Sequence, residues 1–347
     1  MLRPLKSRLP APIAVAGVRL AGAGFTSASS VSFEVNSAND TNLSVTNLTV
    51  GPDGTEATFT LSIEARPDGT VLTAADDGPG IGVVGREAEA AFAETIAPWL
   101  EDGLPTSIRL CGMVGARDGW VEAPYADCPA DPDSWAEVAV RFDWRGVPLA
   151  IMAGLACTDA DGIADVMRGE EAQIFGAMAL DPRLATGRHL IVLPGTHSKW
   201  TLVEDGRVIR FRTVPTGELF ALLRDRSTLS PNIAAADADP AEEAAGFAEG
   251  LERAGAGRLL ASLFAARAMR LRAGRSADWA LGYLSGLVIG CEIAEARAAL
   301  AGDTGVVLIG DARLSDRYAR ALDAQGIASQ SLDGDACARA GLGFLEN

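Results

Sequence analysis

The most informative stretch of the sequence is Leu190-Ile-Val-Leu-Pro-Gly-Thr-His-Ser-Lys-Trp200. An apolar run typical of a buried strand ends in Pro194-Gly195, and three hydrogen-bonding side chains and Lys199 follow before the next apolar run. A turn of this kind exposes backbone N–H groups that bind anions, and the lysine adds positive charge. The pattern favours a phosphate-binding loop over a plain hairpin with a polar tip. It is not a Walker A loop, because GxxxxGK[ST] is absent.

A second informative stretch, Met167-Arg-Gly-Glu-Glu-Ala-Gln-Ile-Phe-Gly176, lies shortly before this loop. Apolar spacing predicts a helix over Asp165–Leu180, and Gly169 permits a tight helix start. Glu170 and Glu171 then fall in the first turn, where the helix dipole favours negative charge. Two interpretations are open. The glutamates stabilise an ordinary helix start, or one of them is a base that accepts a hydroxyl proton.

Composition excludes several classes of protein. The chain has 347 residues, 48% of them hydrophobic, which predicts two or three domains with real cores. A formal net charge of −16 argues against a nucleic-acid partner, which requires clustered Lys and Arg. No apolar run reaches the roughly 18 residues needed to span a membrane. The first 20 residues resemble a signal peptide, but Pro10, Pro12 and Arg19 interrupt the pattern, so we predict a cytoplasmic protein.

Cysteine and histidine usage argues against metal and hydrolase chemistry. The five cysteines are scattered without a CxxC pair, which fits a reducing compartment better than a disulfide framework. With only His189 and His197 beside them, no zinc site is expected. The GxSxG motif of a serine hydrolase is absent as well.

The organisation changes along the chain. Residues 1–66 are rich in Ser, Thr, Asn and Gly, with strand-like alternation at Ser30–Val35 and Ala57–Ile63. We predict three parts: a β-rich segment over 1–66, a first domain over 67–158 and a second domain over 159–347.

The second domain carries one more candidate site. The apolar run Val306–Ile309 predicts a strand that opens onto Gly310-Asp311 before a helix, a geometry that suits close approach by a nucleotide. Many strand–helix units end in this way, so the signal is weak when taken alone.

Several separate blocks resemble the 2-dehydro-3-deoxygalactonokinase family, from about Pro67 to the C-terminus. They are Cys111-Gly-Met-Val-Gly-Ala-Arg-Asp-Gly-Trp-Val-Glu-Ala-Pro-Tyr125, Asp165–Glu171, Leu193–Trp200, Thr216–Phe220, Leu284–Leu287 and Ile309-Gly310. The resemblance implies an α/β enzyme with the two-domain actin/hexokinase-like ATPase (ribonuclease-H-like) fold. It also implies phosphorylation of the 6-hydroxyl of 2-dehydro-3-deoxy-D-galactonate, with ATP and Mg²⁺ bound in a cleft.

The resemblance also implies roles for individual residues. Glycerol-kinase-like relatives place their base at a similar helix start, so Glu170 is the first candidate base and Glu171 the second. The other implied roles are a sugar-acid pocket (Arg117, Trp120, Glu122, Tyr125 and Arg168) and an ATP site (Gly195, Thr196, His197, Ser198, Lys199, Gly310 and Asp311). Arg117 or Arg168 suits the substrate carboxylate. Core packing is the alternative role for Trp120 and Tyr125.

The beginning of the chain departs from the family pattern. Members begin with a strand that runs into an Asp-x-Gly-Thr phosphate loop, whereas Asp53-Gly-Thr55 is one residue short and lacks the arginine expected after it. Val18–Thr26, Ser30–Phe33 and Val45–Ile63 resemble IPT/TIG-type immunoglobulin-like repeats instead, and we favour this interpretation. Two alternatives to an active kinase therefore stay open: an impaired homologue that binds sugar acid or nucleotide, and a surface protein that uses its β-segment.

Overall fold

The computed structural model describes residues 34–37, 42–50, 57–64, 71–75, 85–100, 104–159, 161–229, 239–255, 258–300 and 305–343. Within them, the strands are β1 (Glu34–Ser37), β2 (Asn42–Val50), β3 (Ala57–Glu64), β4 (Val71–Ala75), β5 (Pro105–Leu110), β6 (Tyr125–Asp127), β7 (Val140–Trp144), β8 (Val147–Ile151), β9 (Gly154–Thr158), β10 (Ala164–Met167), β11 (Arg188–Leu193), β12 (Ser198–Glu204), β13 (Arg207–Val214), β14 (Val306–Gly310) and β15 (Ser329–Asp333).

The same described residues also form helices. They are α1 (Ala88–Leu100), α2 (Pro132–Glu137), α3 (Glu170–Leu180), α4 (Thr216–Asp225), α5 (Pro240–Ala254), α6 (Leu259–Leu263), α7 (Ala265–Ala273), α8 (Ala277–Leu300), α9 (Ala312–Asp323) and α10 (Gly334–Leu342). In this part of the chain, no helix is both long and apolar enough to cross a membrane.

The first sheet has the strand order β4-β3-β2-β5-β8-β7. Neighbours among β2, β3 and β4 are antiparallel, whereas β5 runs parallel to β2 and β8 runs parallel to β5. β1 also pairs with β5, in the antiparallel sense. Leu110 of β5 pairs with both Val45 of β2 and Ile151 of β8, so the carboxyl ends of these three strands point the same way.

The second sheet has the order β13-β12-β11-β14-β15. Here β11, β12 and β13 are antiparallel neighbours, and β14 and β15 continue the sheet in parallel with β11. Val192 of β11 pairs with Leu308 of β14. The loop after β11 and Gly310 at the end of β14 therefore lie at the same edge of this sheet.

Both sheets contain the same arrangement of three antiparallel strands followed by two parallel ones. This repeated arrangement confirms the predicted two-domain fold. In the order of strands, β2 and β3 correspond to β11 and β12. Asp53-Gly-Thr55 comes between β2 and β3 in the sequence and lies outside the described residues, so its interpretation stays a prediction. The proposed boundary at residue 66 also stays a prediction, although β2 and β3 belong to the first sheet.

A small third sheet, with the order β10-β9-β6, joins the second sheet. The Asp165 carboxylate accepts hydrogen bonds from the backbone N–H and the hydroxyl of Thr213 in β13, both at 2.6 Å. The predicted helix over Asp165–Leu180 is therefore wrong at its beginning. Residues 164–167 pair with β9, and Gly169 separates strand from helix with a φ of 109° that favours glycine.

Glycine and helix breaks set the bounds of two other elements. β5 ends at Leu110, because Gly112–Gly115 forms a short 3₁₀ turn that starts with a φ of 84°. Phe264 separates α6 from α7.

Candidate active site

The start of α3 and the loop after β11 are in direct contact. An oxygen of Glu170 lies 3.5 Å from Nζ of Lys199, and the Lys199 side chain is only 6% exposed. The other oxygen of Glu170 accepts a hydrogen bond of 3.0 Å from the backbone N–H of Arg168. The candidate base and the lysine that follows the candidate phosphate loop are therefore neighbours.

The neighbouring carboxyl group, that of Glu171, has a different environment. It is fully buried, and both of its oxygens lie 2.7 Å from the backbone nitrogen of Gly169. Burial, together with the charge of Glu170, raises the pKa of Glu171 to about 8, although the Gly169 N–H and Arg168 act in the opposite direction. A carboxyl group with this pKa holds its proton at neutral pH and is not suited to accept one.

The loop itself is fixed by the first turn of α4. The backbone N–H of Glu218 donates to the carbonyl oxygen of Thr196 at 3.0 Å, and the Glu218 carboxylate lies 2.8 Å from Nε2 of His197. A Cβ atom at Gly217 would lie 2.4 Å from the carbonyl oxygen of Gly195, so only glycine permits this close approach. In contrast, a Cβ atom at Gly195 would meet nothing within 4 Å, which leaves room beside the loop.

Sequence reasoning missed a buried polar cluster beneath the loop. The Glu292 carboxylate accepts hydrogen bonds from Trp200 Nε1 at 2.6 Å and from the Tyr318 hydroxyl at 2.5 Å. The Tyr318 hydroxyl also lies 2.9 Å from the hydroxyl of Ser198. One signal was present: Glu292 is an isolated acidic residue within the apolar stretch 286–294.

Arg168 connects α3 with the block Cys111–Tyr125. Its Nη2 donates to the carbonyl oxygen of Ala123 at 2.8 Å, and its guanidinium carbon lies 4.3 Å from the centre of the Tyr125 ring. The Nε and Nη1 atoms are buried and have no hydrogen-bond partner among the described residues. Arg168 and Tyr125 are thus brought together, and the guanidinium group retains unused donors.

The remaining predicted pocket residues differ in position. Trp120 packs in the core of the first domain, with its ring 5.4 Å from Phe92, 5.8 Å from Phe142 and 6.1 Å from Trp144. This contact set corresponds to the core-packing alternative. Arg117 and Glu122 lie exposed on the same block of sequence.

The end of β14 lies close to the end of β15. A Cβ atom at Gly334 would lie 3.1 Å from Cα of Gly310, so the backbones approach closely here. Asp311 caps α9, because its carboxylate accepts a 3.0 Å hydrogen bond from the backbone N–H of Leu314. Gly310 therefore borders the same edge of the sheet as the 194–197 loop, and Asp311 has a structural role as a helix cap.

The repeated sheets, the polar loop after β11 and the acidic start of α3 fit a kinase of the actin/hexokinase-like fold. A family model described as 2-keto-3-deoxy-galactonokinase matches residues 55–345, and the chain belongs to this family. The match begins before Pro67, where the resemblance in the sequence became visible. The predictions of family and enzyme class are confirmed.

Individual relatives agree with this assignment. A protein named probable 2-dehydro-3-deoxygalactonokinase, from Rhizobium meliloti (strain 1021), is 42% identical over 242 residues, which are 68% of this chain and 76% of the relative. The 2-dehydro-3-deoxygalactonokinase of Escherichia coli (strain K12) is 35% identical over 260 residues, or 74% and 84% of the two chains. A crystal structure assigned to a 2-dehydro-3-deoxygalactonokinase of Sinorhizobium meliloti superposes with a TM-score of 0.72, at 33% identity, over 90% of this chain and 97% of that one.

Proposed function

We propose that the chain transfers the γ-phosphoryl group of ATP to the 6-hydroxyl of 2-dehydro-3-deoxy-D-galactonate. The observation that carries the proposal is the 3.5 Å contact between Glu170 and Lys199, because it unites a candidate base with a candidate phosphate loop. Family membership supports the substrate class. The comparisons give no support to the impaired-homologue alternative.

In this proposal Glu170 is the base. Its carboxylate accepts the proton of the 6-hydroxyl while the oxygen forms a bond to the γ-phosphorus. The bond between the γ-phosphorus and the bridging oxygen breaks, and ADP leaves with the electron pair. Glu171 is not suited to the same role at neutral pH, because its raised pKa keeps it protonated.

The 194–197 loop, with Lys199 beside it, would hold the transferring phosphoryl group. Phosphoryl transfer requires positioning and neutralisation of charge more than covalent help from the protein. Backbone N–H groups near Gly195 and the Thr196 hydroxyl are the candidate donors, and the ammonium group of Lys199 offsets the negative charge. Gly310 would lie against the adenosine half of ATP, since it occupies the adjoining strand end.

Mg²⁺ would enter the site with ATP. The described residues contain no group of three or more His, Cys, Asp or Glu side chains that could hold a metal ion. This fits Mg²⁺, which commonly keeps several waters and binds through substrate phosphates and only one or two carboxylates. When bound, the ion supplies charge neutralisation at the phosphates.

Arg168 is the favoured partner of the substrate carboxylate. Two of its guanidinium nitrogens lack acceptors within the described chain, and a buried donor without a partner is costly. Arg117 is the second candidate, and Glu122 and Tyr125 are candidates for the sugar hydroxyls. Trp120 would contribute indirectly, since it anchors their loop in the core.

The substitution Glu170→Gln tests the proposal. Loss of a general base lowers turnover by about 100-fold or more, whereas ATP binding should be retained. The matched control is Glu252→Gln, an exposed glutamate on α5. Both variants are compared with the unmodified chain in a coupled assay for ADP release. Wild-type turnover in Glu170→Gln would contradict the role of Glu170.

A further inference from the structure

The cluster beneath the phosphate loop joins four separate elements. Glu292 comes from the middle of α8, Tyr318 from α9, Ser198 and Trp200 from β12, and Thr216 from the first residue of α4. Each of the five side chains is at least 96% buried. The carboxyl group of Glu292 interacts with the other four, which makes it the centre of the cluster.

Glu292 has no catalytic contact, and a buried carboxyl group is costly unless hydrogen bonds compensate for its burial. Burial raises the pKa of Glu292, and hydrogen bonds from Thr216, Tyr318, Trp200 and Ser198 oppose the shift. Removing one partner from such a network is costly, because the remaining polar groups stay buried without partners. The four hydrogen-bond partners of Glu292 therefore compensate for its burial in an apolar helix.

Both ends of the loop depend on this cluster. Ser198 is the residue at which the loop enters β12, and its hydroxyl is held by Tyr318. Thr216 begins α4, and the next two residues of α4 lie against the loop: Gly217 passes close to the carbonyl oxygen of Gly195, and the Glu218 N–H donates to that of Thr196. A shift of Glu292 would therefore move the loop from two directions.

We propose that Glu292 is a positioning residue that fixes the 194–197 loop in the geometry that receives the phosphates of ATP. The inference rests on the proposed role of this loop as the phosphate site. It assigns Glu292 no contact with a substrate. Its effect should fall on nucleotide binding, since no described contact of the cluster reaches Arg168 or the Cys111–Tyr125 block.

The first test is Glu292→Gln, measured by calorimetric titration with ATP and Mg²⁺ and by steady-state kinetics. The amide keeps the size of the side chain but presents an NH₂ group to donors that now meet an oxygen. The dissociation constant for ATP should rise about tenfold, as expected if a buried hydrogen bond that fixes the loop is lost. The KM for the sugar acid should stay unchanged.

A second pair of variants separates positioning from stability. Tyr318→Phe removes one hydroxyl from the cluster without a change of packing, and the dissociation constant for ATP should rise about threefold or more. Tyr283→Phe is the matched control. Tyr283 is also a buried tyrosine, but its hydroxyl donates to the carbonyl oxygen of Ser262 at 3.1 Å and does not reach the loop. This control should lose comparable stability yet bind ATP as the unmodified chain does. The Tyr318 and Tyr283 pair alone decides the question if Glu292→Gln does not fold.

The possible outcomes distinguish this inference from the proposed function. Unchanged ATP affinity in Tyr318→Phe, or an equal change in Tyr283→Phe, overturns the positioning role even if the unmodified chain is an active kinase. Conversely, a chain that binds ATP but phosphorylates no sugar acid contradicts the proposed function, while weaker ATP binding in Tyr318→Phe still supports the positioning role. A chain that does not bind ATP overturns both.

Discussion

Two adjacent glutamates at the start of α3 show how strongly local surroundings determine chemistry. Glu170 lies beside the ammonium group of Lys199, whereas Glu171 is enclosed and folds back onto the N–H of Gly169. The helix dipole favours negative charge at both positions. Burial outweighs that contribution at Glu171, where the pKa rises to about 8.

The pKa of Glu171 predicts a pH-dependent stability. The unfolded chain loses this proton near the ordinary pKa of 4.5, whereas the folded chain keeps it until about pH 8. Between these values the folded state binds more protons, so the free energy of unfolding falls as pH rises, by up to about 1.4 kcal/mol per pH unit. The stabilisation that comes from the protonated Glu171 is fully present below pH 4.5 and is lost above pH 8.

The substitution Glu171→Gln should remove this slope. Urea unfolding at pH 5.5 and pH 7.5 should show the unmodified chain losing about 2 kcal/mol relative to the variant between the two conditions. Any constant cost of the amide cancels in this difference. Parallel dependence on pH in the two proteins would contradict the buried, protonated state of Glu171.

Lys199 should be required for turnover. Lys199→Met retains the length of the side chain but removes the charge beside the phosphate site and leaves Glu170 without its cation. We expect kcat/KM for ATP to fall by about 100-fold or more, as for loss of a group that stabilises transition-state charge. Arg272→Met, at an exposed position of α7, is the control. A similar, small effect of both substitutions would place Lys199 outside the chemistry.

At the scale of elements, the helix α3, which carries the candidate base, depends on very close packing against α10. A Cβ atom at Gly176 would lie 1.6 Å from the carbonyl oxygen of Cys337, and one at Gly341 would lie 1.9 Å from that of Ala172. The two helices can approach this closely only because both positions are glycine.

Gly176→Ala should therefore separate the two helices. We expect the free energy of unfolding to fall by about 1–3 kcal/mol, the usual cost of overpacking. Gly343→Ala is the matched control, because its Cβ atom would meet nothing within 4 Å and its φ of −62° is helical. Chemical denaturation measures both variants. Equal stability of the two variants would show that the helices are not in close contact.

Local structure is predictable where neighbouring residues encode it. The turn after β11 and the position of Glu170 and Glu171 in the first turn of α3 follow from the adjacent sequence, whereas their roles in binding and catalysis stay predictions. Sequence reasoning failed at β10, because the strand is fixed by pairing with β9 and by Asp165, which binds Thr213 from a distant part of the chain. The contacts of Glu292 could not be predicted for the same reason, since its partners come from three other elements.

At the scale of the whole molecule, β2 is an internal strand of the first sheet. It lies between β3 and β5, although the family model matches only from residue 55. A chain that begins at Gly51 lacks β1 and β2 and should leave the first sheet with unpaired internal edges. We expect this truncation to lose cooperative unfolding of the first domain, as measured by circular dichroism and limited proteolysis. A truncated chain that folds and unfolds normally would support the separate IPT/TIG-type segment instead.

We propose that the chain phosphorylates a sugar acid at its 6-hydroxyl. The most direct test is phosphorus NMR of the purified full chain with ATP, Mg²⁺ and either 2-dehydro-3-deoxy-D-galactonate or its gluconate-derived epimer. We expect a new phosphate monoester coupled to the protons of carbon 6, formed faster from the galactonate-derived acid. ATP left intact in the presence of either acid, by a chain that binds ATP, would contradict it.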